Sequence, residues 1–139
     1  MEKLNLNIPE AEVFYDKNRG YIKISFTDKA NKVTPEEGFI ITKKIFESIL
    51  ELKPKFILID HQSLTFPYTS EFREKTTQEI VPMVIQSGTL EKIAYIMSKD
   101  IITKIGLQLM QEDLIKNDSG IERAFFQSVE EGEKWLFSK

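Results

Sequence analysis

Apolar positions change their period several times along the chain, and each change marks an element. Val13 to Tyr15 and Tyr21 to Phe26 read as two strands, the second partly alternating, with Asp16-Lys17-Asn18-Arg19-Gly20 as a turn between them. Together they predict a β-hairpin. Thr34-Pro35-Glu36-Glu37 reads as a helix start: Thr can accept from free amides, Pro tolerates the first turn, and the Glu three residues after Thr completes a capping box. Ile41, Ile45, Ile49 and Leu52 then recur at helical spacing, widened by Phe46 and Leu50, until Pro54 forbids continuation. A first helix is expected over Pro35 to Leu52.

Phe56-Ile57-Leu58-Ile59 is an uninterrupted apolar run, which suits a central strand covered on both faces. Ser70 to Gln86 has helical spacing through Phe72, Ile80 and Val84, but Pro82 removes a backbone donor and should bend or split the segment before Gly88 ends it. Ile93 to Met97 is the next strand, Ile101 to Ile115 a helix carried by Ile105 and Leu109, and Ala124 to Phe126 a short last strand. Ser128 and Glu131 form a second capping box, opening a helix with Val129, Leu136 and, as core anchor, Trp135. The order β-β-α-β-α-β-α-β-α predicts one α/β domain over residues 1–139. It begins with the hairpin and continues as alternating β/α units in a mixed, mostly parallel sheet flanked by helices, with right-handed crossovers.

Composition narrows the function classes. With 139 residues, 41% hydrophobic and 29% charged, the chain reads as one soluble globular domain. A formal charge of -3 with scattered Lys and Arg disfavours a nucleic-acid partner. No cysteine means no disulfide framework, zinc-thiolate site or thiol nucleophile. MEKLNLNIPEAEVF carries no basic segment leading into a long apolar stretch, and no later run approaches the ~18 to 20 apolar residues of a membrane span. A cytoplasmic protein is expected. Gly-rich phosphate loops and HExxH, DxDxDG or CxxC patterns do not occur, and the acid pairs sit at helix starts, so neither a cofactor nor a metal site is expected.

The chemistry concentrates in FILIDHQSLTFPYTSEFREK, Phe56 to Lys75. Asp60 and His61 invite an acid-base reading, yet neighbours on a strand face opposite sides, and no second His or motif-bound nucleophile completes a triad. No catalytic residue is assigned. Asp60 is expected to make turn hydrogen bonds, His61 to be a half-exposed loop residue, and Ser70 to cap the following helix. Because open α/β sheets form their ligand crevice at the carboxyl ends of parallel strands, Asp60, His61, Tyr68 and Arg73 are candidates for a pocket or partner surface.

The opening hairpin, the capped helix, "KPKFILID", "VPMVIQSGTLEKIAYIMSK" and "RAFFQSVEEGEKWL" resemble, in order and character over nearly the whole chain, the SpoIIAA-like superfamily. These STAS-like or STAS/SEC14-like proteins are small and bacterial, and most lack an assigned function. The resemblance implies a four-to-five-stranded sheet flanked by helices. In anti-anti-sigma members a strand ending in Asp leads to an Asp-Ser-Ser-Gly turn, whose serine is phosphorylated by a kinase that also binds the domain. That motif would fall on Tyr68-Thr69-Ser70-Glu71, keeping the hydroxyls of Thr69 and Ser70 but replacing the acid by Tyr and the glycine by Glu.

What the resemblance implies is a non-catalytic regulatory module, with Ser70 or Thr69 as phosphoacceptor and a protein partner at the surface after the third strand. Tyr95, Met97, Ile101, Ile102, Ile105, Leu107, Leu109 and Met110 are expected to be ordinary core. Two other readings stay open for them: a pocket for an acyl or sterol-like molecule, as the SEC14 comparison implies, and a homodimer face. An orphan enzyme using Asp60 and His61 is a further reading, and it predicts one polar pocket holding both side chains.

Overall fold

The computed structural model describes residues 1–116 and 120–138. The predicted hairpin forms from β2 (Ala11–Asp16) and β3 (Tyr21–Phe26), paired antiparallel with Val13 opposite Ile24. Gly20 closes the turn at φ 61°, a left-handed conformation that a side chain would strain. A three-residue strand, β1 (Glu2–Leu4), pairs antiparallel with β2 on the outside. β4 (Phe56–Asp60), β5 (Lys92–Ile96) and β6 (Glu122–Phe126) continue parallel to β3. The sheet order is simply β1 to β6. Six strands among the described residues exceed the four to five that the resemblance implied, because β1 is too short and exposed to leave an apolar pattern.

Each crossover steps one strand in the same direction, and right-handed crossovers of that kind stack their helices over a single face. The apolar contacts agree. α1 (Pro35–Leu50), α2 (Ser70–Lys75), α3 (Val81–Ser87) and α4 (Ile101–Ile115) share one core with Ile22, Ile24, Ile57, Ile59 and Ile93. α5 (Val129–Leu136), which follows the last strand, covers the opposite face by seating Leu136 on Tyr21, Leu58, Ala94 and Ile96. β4 is therefore buried on both sides.

Local chemistry explains most boundaries. Thr34 caps α1 with both halves of the capping box formed. The helix stops at Leu50, short of the expected Leu52, and Lys53 adopts a left-handed φ of 50° before Pro54. Pro82 does interrupt its helix: Thr76–Ile80 forms a π turn in which the Val81 N–H reaches back five residues to the Thr76 carbonyl. The wider turn accommodates a ring that has no N–H for, and would clash with, the carbonyl of Gln78.

Three expectations at the helices need correction. Ile105 and Leu109 do not face the core: Ile101, Ile102 and Ile105 are 71%, 70% and 51% exposed, while Thr103, Leu107, Met110 and Leu114 are buried. α4 turns this way because Gly106 packs against the segment after β4, where a Cβ would come within 2.8 Å of Tyr68 Cβ. Thr103 Oγ1 also accepts the buried Phe66 N–H at 2.9 Å and donates to the Asp100 cap at 2.7 Å. Trp135 is only half-buried, and Leu136 is the anchor. At Ser128 only half of the capping box forms, since the Glu131 carboxylate accepts the Ser128 hydroxyl and not its backbone amide.

Candidate functional site

Register sets which side chains meet above the sheet. Ile24, Ile59, Tyr95 and Phe125 form one cross-strand row, and Ile22, Ile57, Ile93 and Arg123 the row beside it. Alternation points these residues at the α1–α4 layer, and His61 continues the inward side of β4. Between sheet and helices lies a cavity of about 70 Å³ whose apolar wall includes Ile45, Phe46, Ile59, Val84, Ile93 and Met110. It reaches from Ile24 on β3 to Arg123 on β6. That is three inter-strand steps, about 14 Å. Thr76, Ile80 and Val81, from the π turn and the helix it leads into, form part of its roof.

The polar lining is small and gathered toward the ends of the strands. His61 is 3% exposed and lies against Tyr95, nearly parallel at 6.2 Å, and Phe26 at 5.5 Å. Its Nδ1 is 3.3 Å from the Ile96 carbonyl. A carbonyl only accepts, so the proton sits on Nδ1. Burial pulls the His61 pKa down to about 4, against smaller opposing pulls from the Ile96 carbonyl and Asp60, so the ring is neutral at pH 7. Tyr68 is 9% exposed, and its hydroxyl bonds to none of the described residues. Burial, and then the nearby Tyr95, raise its pKa. Arg123 Nη1 donates to the Tyr95 hydroxyl. Thr76 already gives its hydroxyl to the Phe72 carbonyl at 2.8 Å.

The loop carrying His61 and Tyr68 is held at several points. Ser98 Oγ donates to the Leu64 carbonyl at 2.7 Å, Asn31 Oδ1 accepts the Thr65 N–H at 2.7 Å, and Thr103 takes that of Phe66. Gly38 on α1 and Gly106 on α4 flank it, each so close that a Cβ would strike Phe66 or Tyr68. Tyr68 is thus packed against Gly106 on one side and the Phe66 ring, itself seated on Gly38, on another.

The sequence candidates separate. His61 and Tyr68 come together in the cavity. Asp60 lies on the opposite face, where its Oδ1 accepts the Gln62 N–H at 3.0 Å. Arg73 does not line the cavity; its Nε stands 3.9 Å from Asp113 Oδ2, too far for a hydrogen bond. Two roles change. His61 is not half-exposed, because its backbone N–H donates to the Ile96 carbonyl and draws the ring inward. Ser70 is not the helix cap: Thr69 Oγ1 accepts the Phe72 N–H at 3.1 Å, and Ser70 is the exposed first residue of α2. Thr69 and Ser70 share a shallow depression with Thr34, Glu36 and Glu71, away from the cavity.

Two contributors were missed in the sequence. Arg123 fell outside the strand expected at Ala124 to Phe126, although an Arg two positions before Phe125 shares its face. Tyr95 was read for its apolar ring and not its hydroxyl. Among the described residues no group of three or more His, Asp or Glu could hold a metal ion, and no helix is long and apolar enough to cross a membrane. The chain matches no protein-family model, no curated protein and no solved structure.

Proposed function

We propose that this protein is a non-catalytic binding module of SpoIIAA-like type whose ligand is a small, largely apolar molecule held between the sheet and α1–α4. The observation that carries the reading is the cavity: an apolar wall with a few polar groups, His61 and Tyr68 following the carboxyl end of β4 and Arg123 standing near the start of β6. Its size sets the scale, since an apolar cavity of about 150 Å³ admits benzene and this one has about half that volume at rest. The π turn in its roof offers a place to widen. The hairpin followed by three crossovers supports the family kinship.

The competing readings draw less support. A phosphate on Thr69 or Ser70 would stand beside Glu36 and Glu71, whose charge opposes it. Asp60 and His61 lie on opposite faces of the sheet, which counts against an enzyme that uses both in one polar pocket. Titrating octanol into protein with labelled Ile, Leu and Val methyls tests the proposal. Shifts concentrated at Ile24, Ile59, Val84 and Ile93 are expected; unchanged methyls up to millimolar octanol would remove the ligand reading.

A further inference from the structure

We propose that the ligand is an amphiphilic anion, an unbranched acyl-like chain ending in a carboxylate that is received by Arg123, Tyr95 and Tyr68. This rests on the binding reading above and adds the chemistry of the head group and the shape of the tail. Among the described residues that line the cavity, Arg123 is the one charged at pH 7 and none is a carboxylate. It stands on the edge strand β6 and is partly exposed, so the charged end of the cavity is also an end that reaches solvent. A guanidinium presents five N–H donors in a planar fork that suits a carboxylate, and Arg123 gives one of them to the Tyr95 hydroxyl.

Tyr68 supplies the second argument. Tyr68 lines the cavity, and its hydroxyl has no partner among the described residues, so it can donate to a ligand. Tyr68 and Tyr95 both line the cavity and both rings pack near His61, so two phenols share an otherwise apolar space. A carboxylate there accepts from both Arg123 and Tyr68, whereas a cationic ligand would meet Arg123 with like charge and a wholly apolar one would leave Tyr68 unanswered.

Shape gives the third. The lining draws on four neighbouring strands, and the space encloses only about 70 Å³. So small a volume admits a methylene chain before it admits a ring system. Such a chain would lie over Ile93 and Ile59 toward Phe46 and Ile24.

The test compares octanoate with octanol, which share a chain length and differ in the head group, by calorimetry on the full chain at pH 7.5. Octanoate is expected to bind at least about tenfold more tightly, the ratio a charge-assisted hydrogen bond supplies. In Arg123→Gln that preference should shrink to about twofold or less, with octanol affinity unchanged. Tyr68→Phe removes only an oxygen that no described residue engages, so it folds as the parent does and should weaken octanoate alone. Octanol binding as well as octanoate to the parent protein would overturn the anion inference and leave the apolar-ligand reading standing. If neither binds at millimolar concentration, both fall. A preference for octanoate that survives unchanged in both variants would overturn the assignment of the head-group site.

Discussion

His61 makes stability fall with acid in a window that begins above that of any carboxylate. Its ordinary pKa is about 6.5 and burial holds it near 4 in the folded protein. Below pH 6.5 the unfolded chain takes up a proton that the folded chain refuses, so stability rises with pH and is lost on acidification. The slope approaches about 1.4 kcal/mol per pH unit, and integrating from pH 6.5 to 4.5 gives a loss of about 2 kcal/mol. The carboxylates act at lower pH. Asp16, Glu37 and Asp100 have lowered pKa values, held down chiefly by Arg19, the Thr34 backbone and Thr103 respectively. Their contribution is present above their ordinary values of 3.8 to 4.5 and is lost as pH falls through these. As His61 is the chain's single histidine, it dominates the interval from pH 6.5 down to about 5.5, and the carboxylates, Glu37 first, add to the loss as pH approaches 4.5.

Urea unfolding at half-unit steps measures this, and the midpoint should drop by roughly 1 M from pH 6.5 to 4.5. His61→Phe is the matching control, since the site is already walled by Phe26, Tyr68 and Tyr95. The Ile96 carbonyl keeps its bond to the backbone N–H of residue 61. The variant should show a flat midpoint from pH 6.5 to about 5.5. A parent protein equally stable at pH 4.5 and 6.5, or a variant that retains the slope, would refute the burial argument.

Other substitutions read the same packing. Val84→Ile adds one methylene to the cavity wall and should raise stability by up to about 0.8 kcal/mol in a thermal melt while weakening octanol binding several-fold. Gly106→Ala should destabilise by about 1 to 3 kcal/mol despite its better helix propensity, because the new Cβ falls 2.8 Å from Tyr68 Cβ; an unchanged melting temperature would show that α4 can shift outward. Thr69→Ala should cost about 1 kcal/mol through the lost cap, and Ser70→Ala within about 0.5 kcal/mol of nothing, by urea titration. Ile102→Glu on the exposed side of α4 should likewise change stability by less than about 0.5 kcal/mol, and a large loss would mean that this side is covered in solution.

Elements whose cause is local were legible in the sequence. The hairpin, the Thr34 capping box, the doubly buried run of β4 and the break at Pro82 each follow from a few consecutive residues, and together they fix the β/α order and the α/β class. Tyr68 and His61 could be nominated because the ends of parallel strands are where crevices form. The rest depended on distant residues meeting. Hydropathy in α4 favoured Ile105 and Leu109 as core, but the helix faces inward through Thr103 and Gly106 because a loop some forty residues earlier must be gripped there. Thr69 rather than Ser70 became the cap through a one-residue shift in where helical dihedrals begin. Arg123 joined Tyr95 and Tyr68 in the cavity lining only because parallel register sets Ile93 beside Arg123 while Gly106 lets Tyr68 pack against α4. Local sequence determines which elements exist; the packing of the layers decides which faces close and what cavity remains, because both depend on side-chain volumes and hydrogen bonds far apart along the chain.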